Sequence, residues 1–333
     1  MIDPRRLAVI LAVPLLLLAA VGLFVRQPVF PGTGLSWSGA DPSRLERDVR
    51  VLSIRLAPRD PDHLAHLDGA GDYLKAELTA AGGTVTEQTY RFSEFNQRNK
   101  SVERGPFRNI IARFGPDTAE RIVIGAHYDG FGPFPAADDN ASGSAGLLEL
   151  ARLLGKSPPP LRTELVAYST EEPPYFGTPH MGSVQHAVFL KKTGVKVRAM
   201  ISLEMIGYFS DAPGSQAYPI PLLRLFYPGR GDFITVVGDL RSIGLTRRVK
   251  RAMASSADLP VYSITAPVSV PGIDYSDHAS YWEQGFPAVM INDTAFYRNL
   301  QYHKPGDTAE RLDYRRMAQV VDGAFGAVQS LAR

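Results

Sequence analysis

Between residues 44 and 333 the apolar positions follow two alternating rhythms. Residues 64–80 carry them at helical spacing and stop at Ala81-Gly82-Gly83, a helix terminator. Residues 84–92 alternate polar and apolar as a strand does, and 109–114 read as an apolar strand. Residues 121–126 are continuously apolar, the pattern of a strand covered on both faces. Small residues and leucines over 143–154 predict a helix. Further strands are expected at 164–168, 199–203, 233–237, 260–265 and 288–291, and helices at 180–192, 246–256, 277–285 and 314–331. Strands that alternate with helices predict an α/β domain whose central sheet is mostly parallel or mixed and covered on both faces. No internal repeat or second boundary is evident. Residues 211–230, dense in Pro, Gly and Tyr, read as an insertion at the domain surface.

The first residues follow another pattern. Arg5-Arg6 precede an uncharged run over residues 7–25 that closes at Arg26. Its length suits a membrane-spanning helix better than the shorter apolar core of a signal peptide, so an N-terminal transmembrane anchor over 1–26 is expected, with a cleaved signal near 20–22 as the alternative. The arginine pair on its N-terminal side predicts a cytoplasmic N-terminus and a domain outside the cytoplasm, periplasmic or extracellular. Residues 27–43, rich in Pro, Gly and Ser, are expected to tether that anchor to a domain over 44–333.

Composition narrows the chemistry. The 333 residues hold 36 basic and 34 acidic side chains, a net charge of +2 that argues against a nucleic-acid partner. No cysteine is present, which excludes a disulfide scaffold, an iron–sulfur site, a thiolate zinc site and a cysteine nucleophile. Any metal must be held by histidine and carboxylate.

In α/β sheets functional side chains gather where strands end at their carboxyl edge. Five such places carry suitable groups: His127-Tyr128-Asp129, the run Asp138-Asp139-Asn140, Glu171-Glu172, Glu204, and His303. His127 and Asp129 lie two apart, so Asp129 can accept from one ring nitrogen while the other binds metal. Asp138-Asp139-Asn140 precedes a helix, where one N-capping side chain would suffice; three consecutive Asx residues exceed that need. Glu171-Glu172 suits a pair with divided roles, one on metal and one taking a proton from water, although an acidic surface turn has the same composition. Glu204 stands inside an apolar stretch, where burial costs several kcal/mol unless the carboxylate is paired, protonated or metal-bound. Together His127, His303, Asp139, Glu172 and Glu204 supply two imidazoles and three carboxylates, the donor set of a two-metal hydrolytic centre.

At these residues the chain resembles the secreted dizinc aminopeptidases, whose wider relatives include glutamate carboxypeptidases, the transferrin-receptor ectodomain and glutaminyl cyclases. The motifs are Gly125-Ala126-His127-Tyr128-Asp129, Ala137-Asp138-Asp139-Asn140-Ala141-Ser142-Gly143, Ser169-Thr170-Glu171-Glu172-Pro173, Leu203-Glu204-Met205-Ile206-Gly207, Ser276-Asp277-His278, and His303 with Asp307-Thr308, in the family's order over residues 60–330. The resemblance implies a three-layer αβα fold with a mixed, mostly parallel sheet, as in zinc-dependent exopeptidases and phosphorylase/hydrolase-like domains. It implies two zinc ions per chain, bridged by Asp139, with His127 and Glu204 completing one site and Glu172 and His303 the other. Glu171 would be the general base and acid, Asp129 would orient His127, and a cis peptide is expected after Asp139. Tyr302 resembles a tyrosine that steadies the oxyanion, and Ser276-Asp277-His278 reads either as a helix N-cap or, as the resemblance implies, as a stretch beside the site where Asp277 and His278 contact oxyanion or substrate. One departure stands out: most members place an aspartate where this chain has Glu204. The implied activity is removal of N-terminal residues from peptides, with a single-zinc acyltransferase of the glutaminyl-cyclase kind and a non-catalytic binding ectodomain as alternatives. Residues 208–233, with Tyr218, Phe226 and Tyr227, are expected either to wall a pocket for an apolar side chain or to pack as a surface insertion.

Overall fold

The computed structural model describes residues 4–30, 39–95 and 100–333, without the side chains of residues 4–11 and 95. Its strands are β1 (Thr84–Phe95), β2 (Ser101–Phe114), β3 (Glu120–His127), β4 (Arg162–Tyr168), β5 (Lys196–Glu204), β6 (Ile234–Gly238), β7 (Val261–Thr265) and β8 (Ala288–Asn292). The helices are α1 (Pro4–Arg26), α2 (Pro42–Arg50), α3 (Leu64–Ala80), α4 (Gly143–Lys156), α5 (Gly182–Lys192), α6 (Ile243–Ser256), α7 (His278–Glu283) and α8 (Tyr314–Leu331).

The strands form one mixed sheet in the order β1-β2-β4-β3-β5-β8-β6-β7. Its centre, β4-β3-β5-β8, is parallel throughout, while β1, β2 and the β6–β7 pair run the other way or pair antiparallel at the flanks. The alternation of side chains across the pleat explains the continuously apolar β3: Ile122 and Ile124 enter one core and Val123 the other. The larger core also takes buried residues of α2, α3, α4, α6 and α8, and the smaller one takes Ala187 and Leu190 of α5 and Tyr281 of α7, giving three layers. From β3 the chain crosses to β4 on one side, then returns past β3 to β5 on the other. The carboxyl ends of β3 and β5 therefore flank a reversal of winding, where open α/β sheets form their crevice.

Three expectations change. Helix α2 lies where the sequence predicts no helix; it is capped by Asp41, whose side chain accepts from Ser43 N–H at 2.8 Å, with Pro42 in the first turn. It buries Leu45 and Val49 against the larger core, and Gly39 and Ala40 donate to Asp322, so the domain begins before residue 44. Strand β2 starts at Ser101, because its polar N-terminal half is paired with β1 and carries no apolar signal.

The third change concerns the N-terminus. The C-terminal end of α1 is fixed to the domain: Lys250 Nζ donates to the carbonyls of Arg26 and Gln27 at 2.7 and 3.1 Å, Ser263 Oγ donates to Arg26 O at 2.9 Å, and Gln27 is buried. A loose tether starting at residue 27 is thus replaced by a clamp, with residues 31–38 of that segment outside the described ones. Among the described residues no helix is long and apolar enough to cross a membrane, so the expected transmembrane anchor and membrane partner find no support; part of the 7–25 run lies outside the described side chains.

Candidate metal centre

The donors gather above the carboxyl ends of β3, β4 and β5. His127 is the last residue of β3 and Glu204 the last of β5, while Glu171-Glu172 follow β4 by three residues. Asp139 lies in the loop before α4, and His303 in the segment after β8. Local backbone strain marks this rim. Thr170 beside Glu171, Met205 after Glu204, Ala136 ahead of the Asp pair, and His303 itself all adopt left-handed φ of 58°, 45°, 50° and 55°. Such conformations persist where the surrounding structure enforces them, and they cluster at sites of function. The Asp139–Asn140 peptide is cis, as the resemblance implies.

Two groups result. His127 Nε2 lies 3.5 Å from Asp139 Oδ1 and 3.3 Å from Glu204 Oε2. His303 Nε2 lies 3.1 Å from both Asp139 Oδ2 and Glu172 Oε2. Asp139 thus turns one oxygen to each group, and within each group the donor atoms lie within 4.8 Å of one another. Glu171 Oε2 sits 3.9 Å from His127 Nε2, outside both triads. Behind His127, Asp129 Oδ1 is 3.4 Å from Nδ1, and Asp129 Oδ2 accepts the Glu172 N–H at 3.0 Å.

The charges show what such a cluster requires. Burial opposes ionisation of Asp139, yet the facing His127 and His303 rings hold its carboxyl below the ordinary range. Burial, then the neighbouring Asp139 charge, pushes Glu172 up to about 8. Burial favours neutral His303, but Asp139 and Glu172 carry it up to about 10, and His127 is raised likewise against its burial by Glu171 and Glu204. Glu171 is raised well above its usual value by burial, with Glu172 and Glu204 adding to it. Buried carboxylates outnumber imidazoles here. Asp139 Oδ2, Glu172 Oε1, His127 Nδ1 and His303 Nε2 are buried without a hydrogen-bond partner. Oxygen and imidazole donors with unsatisfied lone pairs and excess negative charge fit a divalent cation such as zinc.

The structure gives several supporting groups, some of them inside the quoted motifs, contacts that the sequence does not show. Asp307 accepts the N–H groups of Asp138 and Asp139 at 3.0 and 3.1 Å and so pins the loop that carries the shared carboxylate. Ser276 Oγ donates to Glu204 Oε2 at 2.8 Å. The His303 ring lies between Phe131, at 4.0 Å and 4° from parallel, and Tyr302, at 3.8 Å. Arg59, fully buried, ties the loop backbone through Tyr128 O and Ala136 O. A Cβ on Gly143 would collide with Leu203 O and Asn140 Oδ1, so glycine lets the start of α4 close on the end of β5.

Of the other expected residues, Tyr302 stacks on His303 and lines the adjoining cavity, and burial holds its phenol well above the usual value, leaving it a neutral donor. Asp277 is buried within electrostatic range of His127 and Glu204, and burial pushes it up to about 7. His278 turns away: its Nε2 bonds Ile273 O at 2.8 Å and its ring packs edge-on against Trp282. It braces the 273–282 turn.

From Glu204 and Tyr302 a largely apolar cavity runs inward, walled by Tyr218, Leu223, Tyr227 and Phe233 of the 208–233 segment together with Ile264 and Met290. The expected wall is formed by that segment, except that Phe226 packs on Gly22 of α1 instead.

A three-layer α/β domain with carboxylate–imidazole groups at the carboxyl edge of its parallel strands defines the class of zinc-dependent exopeptidases. The model of peptidase family M28 matches residues 109–328, and the chain belongs to that family. It is 49% identical over 294 residues to Uncharacterized protein YfbL of Escherichia coli (strain K12), covering 86% of this chain and 87% of that one. It is 26% identical over 341 residues to Leucine aminopeptidase 1 of Blastomyces gilchristii, covering 92% and 80%. Among solved structures, the Bacteroides thetaiotaomicron glutaminyl cyclase bound to N-acetylhistamine shares the fold with a TM-score of 0.65 at 19% identity, over 87% of this chain and 97% of that one.

Proposed function

We propose that the protein is a two-zinc aminopeptidase. The observation that carries this is the split carboxylate of Asp139, one oxygen toward His127 and Glu204 and the other toward His303 and Glu172. Zinc bound by these residues would lower the pKa of an attacking water and polarise the scissile carbonyl. Glu171 takes the proton from that water at Oε2, the oxygen nearest the cluster, and delivers it to the leaving amine. Its raised affinity for protons suits both steps. Tyr302, neutral and at the mouth of the cavity, donates a hydrogen bond to the oxygen that gains charge. The cavity accepts the first side chain of the peptide, and its apolar walls favour a large hydrophobic one.

A second reading, single-zinc acyl transfer of the glutaminyl-cyclase kind, is favoured by one observation. The Glu204 oxygen that faces His127 also accepts from Ser276 and, at 3.4 Å, from Asn140 Nδ2, which weakens its claim as a ligand. Delivery outside the cytoplasm is proposed on the uncharged 7–25 run, and fractionation of the native host tests it.

Glu171→Gln tests the catalytic role. It should retain the metal content of the parent while kcat for aminoacyl anilides falls by about 10²–10⁴-fold. Hydrolysis at the parental rate would remove Glu171 from the mechanism.

A further inference from the structure

The cavity beside the metal groups has apolar walls and a polar spot on its floor. Register places that spot: Glu204 on β5 pairs with Asn292 on β8, and Asn292 pairs with Thr235 on β6. Directly paired residues project from the same face, so the three side chains form a row, and all three line the cavity. At about 4.8 Å per strand, Asn292 and Thr235 stand roughly 5 and 10 Å along the floor from Glu204.

Both groups are buried and incompletely used. Thr235 is 5% exposed and its Oγ1 has no hydrogen-bond partner. Asn292 is 4% exposed; its Oδ1 accepts the Thr294 N–H, which orients the amide, and its Nδ2 donates to no group among the described residues. The neighbouring polar side chain is saturated, since Gln216 bonds Arg298, Thr294 and Ala217 O. An unpartnered hydroxyl beside an amide on the same face offers a seat for one ligand atom that both accepts and donates. The cavity, about 90 Å³, exceeds the roughly 10–15 Å³ that one water needs, so solvent can fill it until a side chain displaces it.

We infer that Thr235 and Asn292 make the enzyme select N-terminal tyrosine over phenylalanine. The inference rests on the aminopeptidase reading and adds to it a substrate class. The tyrosine ring fills the apolar part of the cavity, and its hydroxyl accepts from Asn292 Nδ2 and donates to Thr235 Oγ1. Phenylalanine displaces the same solvent and returns nothing, and a site that hydrogen-bonds a substrate hydroxyl discriminates sharply against the analogue lacking it.

The test compares kcat/KM of the zinc-loaded full chain for the p-nitroanilides of tyrosine, phenylalanine and leucine. The parent should favour tyrosine over phenylalanine by about tenfold or more. In Thr235→Val, which keeps the shape, that ratio should drop to about one, and in Thr235→Ser it should be retained. A ratio near one in the parent, or one unchanged in Thr235→Val, would overturn the inference and leave the aminopeptidase reading intact. Cleavage of none of the three would strike the aminopeptidase reading itself. Thermal protection by tyramine against phenethylamine then still decides the role of Thr235 without catalysis, equal protection overturning it.

Discussion

Asp139 is the residue on which the site turns, because no other carboxylate faces both imidazoles among the described residues. Its position depends on Asp307, which accepts the N–H groups of Asp138 and of Asp139 itself and which burial, then Asp138, pushes up to about 7. Asp307→Asn should keep the fold but loosen the loop, weakening zinc binding by about 10–100-fold in competition with a chromophoric chelator. An unchanged affinity would show that the loop needs no such anchor. At this scale the sequence was informative where a residue conflicted with its surroundings: Glu204 in an apolar run, three consecutive Asx residues, paired glutamates at a strand end. It was silent on Phe131 and on the contacts made by Ser276 and Asp307, whose residue types are ordinary and whose significance is a contact over long sequence separation.

Among the elements, periodicity located β3, α3, α4 and α8 to within two residues, since each is long or strongly patterned. Helix α2 went unseen although Asp41, Pro42 and the spacing of Leu45, Val49 and Leu52 were visible; the preceding Pro- and Gly-rich segment masked them. The other layer offers a pH test. His186 on α5 bonds Tyr281 OH on α7 at 2.6 Å, and burial, followed by Arg121 and Arg113, lowers its pKa to about 3 from 6.5. Between those values the unfolded chain binds a proton that the folded chain refuses, so stability is full above about pH 6.5 and is lost as pH falls, by about 1.4 kcal/mol per unit. His186→Phe leaves Tyr281 OH bonded to Tyr168 OH and removes this proton linkage. Urea midpoints at pH 7 and 4.5 should therefore fall less in the variant than in the parent, and parallel losses would contradict the assignment.

On the scale of the whole molecule, sheet and loops serve a division of labour. The parallel strands deliver His127 and Glu204 to the reversal of winding, the antiparallel β6–β8 pair floors the cavity, and the 208–233 segment walls it. The same segment reaches α1, where Tyr227 OH donates to Val25 O at 3.5 Å and Phe226 packs on Gly22, so the first helix is joined to the cavity side of the domain. That docking was illegible in a run read only for length and hydrophobicity. The absence of cysteine fits a centre built of oxygen and imidazole donors alone. Its occupancy is the most direct test: zinc per chain by elemental analysis of the purified protein, with leucine p-nitroanilide hydrolysis followed through chelation and zinc restoration. Two zinc ions per chain, with activity lost and regained alongside them, is the predicted result. Full activity with one zinc, or none of either, would contradict it.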